Sequence, residues 1–243
     1  MPLEQLLLFI LLALIAEILG TVGGFGSSML FVPIAGYFLD FQSVLGITAL
    51  FHVSSNISKI ALFRKGFDKK LVLYLGLPAV VFVMIGAYVS TLFNPQYLEL
   101  ALAVFLILMS VFLLIKKTFK LQPNNRNAIV GGTISGFVAG LLGTGGAIRG
   151  LTLAAFSLKM EVFIATSAII DLGVDLSRSG VYIFNGYVHK HDLYLIPILL
   201  IVSIVGTYLG KLILQKLPEG TFRTLVLVLI ILTAVSVIVK FFI

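Results

Sequence analysis

The chain has 243 residues, 60% of them hydrophobic and 11% charged, against roughly 45–50% and 25% in globular proteins. Those polar residues are too few to cover a water-exposed surface, which needs roughly a quarter to a third of its residues charged, so the sequence reads as an integral, all-α polytopic membrane protein. A formal charge of +7 then marks cytoplasmic loops facing anionic lipid, not nucleic acid, and zero cysteines exclude disulfides, iron-sulfur clusters, thiolate zinc sites and cysteine nucleophiles.

In chain order, Met1-Pro2-Leu3-Glu4 precedes an apolar run from Leu6 to Leu19 without any Lys or Arg. The cationic start of a cleaved signal peptide is missing, and the segment is read as part of the mature protein. Residues 3–39 are predicted to form a broken helical hairpin, interrupted midway by Gly20-Thr21-Val22-Gly23-Gly24-Phe25-Gly26-Ser27-Ser28. Spans long enough for about 30 Å of hydrocarbon follow at 43–63, 71–92 and 97–115. A polar cytoplasmic linker, 116–127, separates this first unit (1–115) from a second (128–243). The second unit opens with another broken hairpin, 128–158, interrupted by Gly143-Thr144-Gly145-Gly146-Ala147-Ile148-Arg149-Gly150. Its spans are predicted at 162–184, 193–214 and 222–242. Several glycines cost roughly 1 kcal/mol each inside a helix, while unpaired backbone in lipid costs several per group, so both breaks must be sheltered within protein.

The two units read as repeats. Gly20-Thr21 matches Gly143-Thr144, Gly86-Ala87-Tyr88 matches Gly206-Thr207-Tyr208, and Asn94-Pro95 with its apolar run matches Leu217-Pro218 with its own. One broken hairpin plus three spans is an odd number of crossings, so the second copy is expected upside down relative to the first. Loop charges agree. With the 64–70 loop in the cytoplasm, inversion gathers there Arg64, Lys65, Lys69 and Lys70, then Lys116, Lys117, Lys120 and Arg126, then Lys159, then Lys211, Lys216 and Arg223. Only Lys190 and Lys240 fall on the other side. That asymmetry is what the positive-inside rule expects, and it puts both termini on the non-cytoplasmic side of a plasma membrane.

Lys59, Arg149 and Arg178 lie inside apolar stretches, with Glu17, Asp171 and Asp175. Each would cost at least roughly 2.5–3.5 kcal/mol facing lipid at mid-depth, so a shared polar interior is expected. His52, Asn56 and Lys59 stand at i, i+4 and i+7, and Asp171, Asp175 and Arg178 repeat that spacing; each trio is one helix face. Helix starts at the two breaks would turn unpaired N–H groups and a positive dipole end toward a ligand, and Arg149 adds a planar donor fork. A small oxyanion is the expected guest. Its predicted site is Thr21, Gly23, Gly24, Gly26, Ser27 and Ser28 from the first break, Gly143, Thr144, Gly145, Gly146 and Arg149 from the second, and Asn56 and Lys59. Glu17, His52, Asp171, Asp175 and Arg178 are the expected coupling and gating set, for a proton or sodium ion. A structural reading stays open beside this one, with Asp175 paired to Arg178, Asp171 to Lys59, the glycines serving helix packing and the threonine hydroxyls capping carbonyls. His189-Lys190-His191-Asp192 is read as a short polar loop; without further ligands no metal is expected there.

At the two breaks the sequence resembles the sulfite exporter TauE/SafE family. The resemblance rests on Gly20-Thr21-Val22-Gly23-Gly24-Phe25-Gly26 with Val32-Pro33, on Ser135-Gly136-Phe137-Val138-Ala139-Gly140-Leu141-Leu142-Gly143-Thr144-Gly145-Gly146, and on the duplicated arrangement. It implies transport of sulfite, sulfoacetate or a related organosulfur anion across a plasma membrane. The second unit departs from the pattern at Ala147, at Arg149 and at Ala155, where a counterpart of Pro33 is expected.

The resulting expectation is a secondary transporter, an exporter in preference to an importer, that moves a small sulfur oxyanion by alternating access and requires no cofactor. A passive anion channel, indifferent to proton or sodium gradients, is the alternative. An enzyme is not expected, since HExxH, GxSxG and P-loop motifs are missing. A homodimer is left open.

Overall fold

The computed structural model describes residues 1–23, 26–116, 121–214, 216 and 219–242, with the backbone alone at 219–223 and 225. Among the described residues the helices are α1 (Leu3–Gly23), α2 (Ser28–Ala35), α3 (Phe41–Leu62), α4 (Lys69–Ser90), α5 (Pro95–Ile115), α6 (Asn125–Leu142), α7 (Gly146–Ala154), α8 (Met160–Phe184), α9 (Leu195–Leu214) and α10 (Glu219–Phe242). A short 3-10 turn, Lys190–Asp192, precedes α9. The protein is all-helical and multi-pass: α1, α3, α4, α5 and α9 have the length and apolar composition to cross a bilayer. Helix α8 is longer, at 25 residues, but its acids and arginine lower its hydropathy.

The predicted spans all form helices, most of them starting two or three residues early. Hydropathy sees only the apolar body of a helix, whereas the backbone begins at a polar cap. Asp40 accepts from the Ser43 amide at 3.0 Å, Asp68 from Leu71 at 3.0 Å, Asn94 from Gln96 at 2.9 Å and Asn124 from Asn127 at 2.8 Å. Within α4 the segment Val72–Gly76 winds as a wider π turn. Pro78 follows it; a proline lacks an amide and crowds the carbonyl four residues back, and the wide turn relieves that conflict.

The hairpins correct the sequence reading in two ways. The first break begins later than expected: α1 runs on through Gly20 to Gly23, 21 residues or about 31 Å, and the short α2 returns from Ser28. Helix continues through Gly20 because in lipid a weak helix residue costs less than an unpaired peptide group. In the second hairpin the returning helix starts at Gly146, ahead of Arg149, not after Gly150.

Glycine sets which helices touch. On α6, Gly132, Gly136 and Gly140 lie against the backbone of Leu75, Ala79 and Val83 of α4, where any β-carbon would collide. Both series ascend together, so α4 and α6 run parallel. Gly206 and Gly210 of α9 sit against the Glu17 and Thr21 side chains of α1, again parallel. Small residues every fourth position allow this close approach between membrane helices. In contrast, α3 and α8 cross antiparallel: Gly46 meets Tyr187 just past α8, Asn56 meets Asp175, and Phe63 packs with Ile164 and Ala165. Helices α5 and α10 are antiparallel too, with Tyr97 against Phe241 and Glu99 beside Lys240. On the outer faces Leu3, Leu7, Leu8 and Leu11 of α1 and Leu108 and Ile115 of α5 stay exposed, an apolar belt suited to lipid.

Candidate functional site

The antiparallel crossing of α3 and α8 places the two polar stripes face to face. Asn56 Nδ2 donates to Asp175 Oδ2 at 2.7 Å near its centre. Each stripe is a product of helical period alone, and the crossing is what joins them.

On the α1 side the centre is Glu17, which has no exposure at all. Its Oε1 accepts from Ser55 Oγ at 2.5 Å, Thr207 Oγ1 at 3.0 Å and Thr21 Oγ1 at 3.3 Å; its Oε2 accepts from Ser27 Oγ at 2.5 Å. Lys59 Nζ completes the shell at 3.1 Å and also donates to Ser55 Oγ at 2.7 Å. Every neighbour is a donor, which suits an ionised carboxylate. Ser27 has one hydroxyl proton and spends it on Glu17, so His52 Nε2, 3.0 Å from Ser27 Oγ, is the donor of that contact.

The second break is built differently. Gly143 ends α6 in the left-handed region, φ +79°, where only glycine sits without strain. Arg178 reaches across to cap that end: Nη1 donates to the carbonyls of Ala139 at 3.1 Å and Gly143 at 2.8 Å, while Nε and Nη2 hold Asp175 Oδ1 at 2.8 and 2.7 Å. Tyr182 Oη donates to the Gly140 carbonyl at 2.5 Å. A cation among the last carbonyls of a helix also meets the negative end of the dipole. One turn into α7, Arg149 is ion-paired with Asp171, and its Nε donates to Ser167 Oγ at 3.2 Å. Its Nη2 lies 3.9 Å from where a β-carbon on Gly26 would stand, so the guanidinium faces the first break. The two breaks touch through Ser28 Oγ and Thr144 Oγ1, 3.0 Å apart.

Gly26, Ser27, Ser28, His52, Asn56, Lys59, Gly143, Gly145, Gly146, Arg149, Asp171, Asp175 and Arg178, thirteen of the expected residues, line one cavity of about 30 Å³, room for about two water molecules. A second cavity reaches Phe163 and Ile164 and shares Gly26, Lys59 and Asp171 with the first; Thr21 lines it. Glu17 is buried behind both, Thr144 holds Ser28, Gly23 ends α1, and Gly24 lies outside the described residues. Lys59 pairs with Glu17 and Asp171 with Arg149, not with each other. Thr21 binds Glu17 and does not cap a carbonyl. Ser55, Ser167, Tyr182 and Thr207 were missed by the sequence reading. The first three sit four residues from Lys59, Asp171 and Arg178, on the same faces, and Thr207 lies inside the repeated Gly206-Thr207-Tyr208; helical spacing alone could have found them.

A profile of the family described as "Sulfite exporter TauE/SafE" matches residues 9–237. The chain belongs to the TauE/SafE family. Two curated relatives of this TauE/SafE protein carry the same kind of description. "Probable membrane transporter protein MJ0441" of Methanocaldococcus jannaschii is 29% identical over 239 residues, covering 89% of each chain. "Probable membrane transporter protein YunE" of Bacillus subtilis is 26% identical over 268 residues, covering 92% of this chain and 95% of the relative. No solved structure matches significantly. As a TauE/SafE member the chain is a multi-pass membrane transporter and not an enzyme.

Proposed function

We propose that this transporter exports a small sulfur-containing oxyanion, sulfite or an organosulfonate, across the plasma membrane by alternating access between two inverted repeats. The observation that carries the reading is Arg149, one turn into α7, turned toward Gly26 of the opposite break in a cavity that both breaks line. The first amides of α2 and α7 add unpaired donors at positive dipole ends. Inversion of the repeats is supported by the directions of contact: α3 against α8 and α5 against α10 are antiparallel, as copies related by an axis in the membrane plane require. The placement of charges supports the orientation. Lys65 meets Glu161 at 2.8 Å and Lys211 meets the Leu62 carbonyl at 2.9 Å on the side assigned to the cytoplasm, while Lys240 meets the Gly36 carbonyl at 2.9 Å on the other.

All six intramembrane charges form pairs, and the pairs are not equally replaceable. Glu17 has four hydroxyl partners besides Lys59, and Arg178 holds two carbonyls besides Asp175. Arg149 with Asp171 has, among the described residues, only Ser167 beyond the pair, and Asp171 is the most exposed of the six side chains, at 15%. An arriving oxyanion therefore competes with Asp171 for the guanidinium, and protonation of Asp171, or its transfer toward Lys59, releases the fork. That exchange links anion binding to a proton, which a passive channel does not need.

The test uses the neutral pair Arg149→Gln with Asp171→Asn, so that no charge is left buried alone. In proteoliposomes the double variant should lose at least about 100-fold in flux of the substrate, the equivalent of one or two charge-assisted hydrogen bonds, while its melting temperature stays within a few degrees of the parent. A thermal-shift screen against sulfite, sulfate, thiosulfate, sulfoacetate, taurine and carboxylates identifies the anion. Undiminished flux in the double variant refutes the assignment.

A further inference from the structure

The second cavity breaks the likeness between the two repeats. Its α8 wall is Phe163, Ile164, Ser167, Ala168 and Asp171, and Gly20 and Thr21 of α1 also border it. Phe163 and Ile164 lie at the start of α8, close to Lys159, so the cavity runs from the anion site toward the side assigned to the cytoplasm. The displacement of 119 residues that matches the two polar stripes also matches the helix starts, Phe41 of α3 with Met160 of α8. In that register Val44 answers to Phe163, Leu45 to Ile164, Thr48 to Ser167, Ala49 to Ala168 and His52 to Asp171.

On the α3 side the corresponding wall is shut. Val44, Leu45, Thr48 and Ala49 have no exposure at all. Leu45 Cδ2 lies 2.7 Å from where a β-carbon on Gly143 would stand, whereas their counterparts, Ile164 and Gly20, both border open space. The hydroxyl of Thr48 is a second, independent mark. It is buried without a hydrogen-bond partner, a condition that only Ser110 shares among the described residues. Its counterpart Ser167 is served twice, accepting from Arg149 Nε at 3.2 Å and donating to Asp171 Oδ2 at 3.4 Å. A buried hydroxyl left unmet is costly, and a protein with two states can carry the cost in one when the other relieves it.

We propose that this structure is the cytoplasm-leaning state of the transporter, and that in the alternate state Val44, Leu45, Thr48 and Ala49 wall a mirror cavity leading from the anion site to the non-cytoplasmic side. The proposal rests on the inverted repeats and alternating access set out above. An axis in the membrane plane turns a passage at the start of α8 on one face into a passage at the start of α3 on the other. Leu45 parting from Gly143 opens it, and Ile164 settling on Gly20 closes the cytoplasmic one. The Thr48 hydroxyl then faces the open passage, where water or the moving anion satisfies it.

The full-length chain has no cysteine, so single cysteines report access directly. Thr48→Cys and Ala49→Cys, at fully buried positions, should react with a membrane-impermeant methanethiosulfonate in right-side-out vesicles and stay unreacted in inside-out ones. Ser167→Cys should show the reverse. Ser110→Cys sits at the other unmet hydroxyl and lines neither cavity; it should stay silent from both sides. Thr48→Val removes the unmet hydroxyl and so favours the state seen here: in that background Ala49→Cys should react at least about fivefold more slowly from the non-cytoplasmic side, while Ser167→Cys keeps its rate. Silence of Thr48→Cys and Ala49→Cys from the non-cytoplasmic side overturns the mirror cavity, and so does Ser110→Cys reacting as fast as Thr48→Cys, or an unchanged rate in the Thr48→Val background. Reaction of Thr48→Cys and Ser167→Cys from both sides marks a through channel and sinks alternating access with it. No transported anion enters these readouts, so they fail separately from the assignment of a sulfur oxyanion.

Discussion

Replacing Arg178 by Met tests whether the second break is held by the guanidinium that spans it. Methionine fills a similar volume without charge or donors. The change leaves the Asp175 carboxylate buried with only Asn56, and removing one partner of a buried ion pair costs about 3–5 kcal/mol. It also takes the side-chain donor from the Gly143 carbonyl; Ala139 O still accepts from the Gly143 amide at 3.0 Å. One orphaned carbonyl adds about 1–2 kcal/mol, for a total of roughly 4–7 kcal/mol against a stability of about 5–15. Asp175→Asn in the same background removes the stranded charge and should restore about 3 kcal/mol, a coupling that double-mutant cycles resolve easily. Unfolding by dodecyl sulfate in mixed micelles, followed by circular dichroism, reads these differences directly. A loss below about 1 kcal/mol for Arg178→Met, or no recovery on adding Asp175→Asn, would show that the arginine does not hold the α6 terminus.

The glycine interfaces make a sharper steric prediction: Gly136→Val drives a side chain into the Ala79 backbone and should lower stability by about 3 kcal/mol or more, whereas a valine at Gly180, where a β-carbon meets nothing within 4 Å, should cost less than about 1.5; thermal unfolding of the two variants compares them. Glu17→Gln strands the Lys59 ammonium and should cost about 3–5 kcal/mol, with Lys59→Met in the same chain restoring much of it, as read by the same detergent titration. The orientation is checked with single cysteines in this naturally cysteine-free sequence: in intact cells a membrane-impermeant maleimide should label a cysteine at 191 and spare one at 65, and the reverse pattern inverts the proposed topology.

Much of the site was legible because its signals are local. The trios headed by His52 and by Asp171 could be read from helical period, and the two breaks from glycines that lipid does not tolerate unsupported. Partners were not legible. Lys59 had acids within reach on two other elements, and the choice fell to Glu17 because Gly206 and Gly210 bring α9 close enough to α1 to seat the Thr207 hydroxyl on the same carboxylate. Packing between distant segments decides such matters, and spacing within one segment carries no record of it. The end of α1 was misplaced for a related reason: glycine weakens a helix by about 1 kcal/mol in isolation, but its neighbourhood in lipid leaves the backbone no better partner.

The glycine contacts bear on how the molecule can move. Helix α6 is fastened to α4 backbone against backbone, and α9 lies with its glycines on the Glu17 and Thr21 side chains of α1, so each interrupted hairpin is anchored to a span contributed by the opposite half of the sequence. A cut at the linker does not separate two moving parts. In the alternating access proposed above, the rigid bodies are instead composites, each with chain from both halves, and the slip plane is the α3–α8 crossing, a seam of side-chain hydrogen bonds and ion pairs that can be exchanged one at a time.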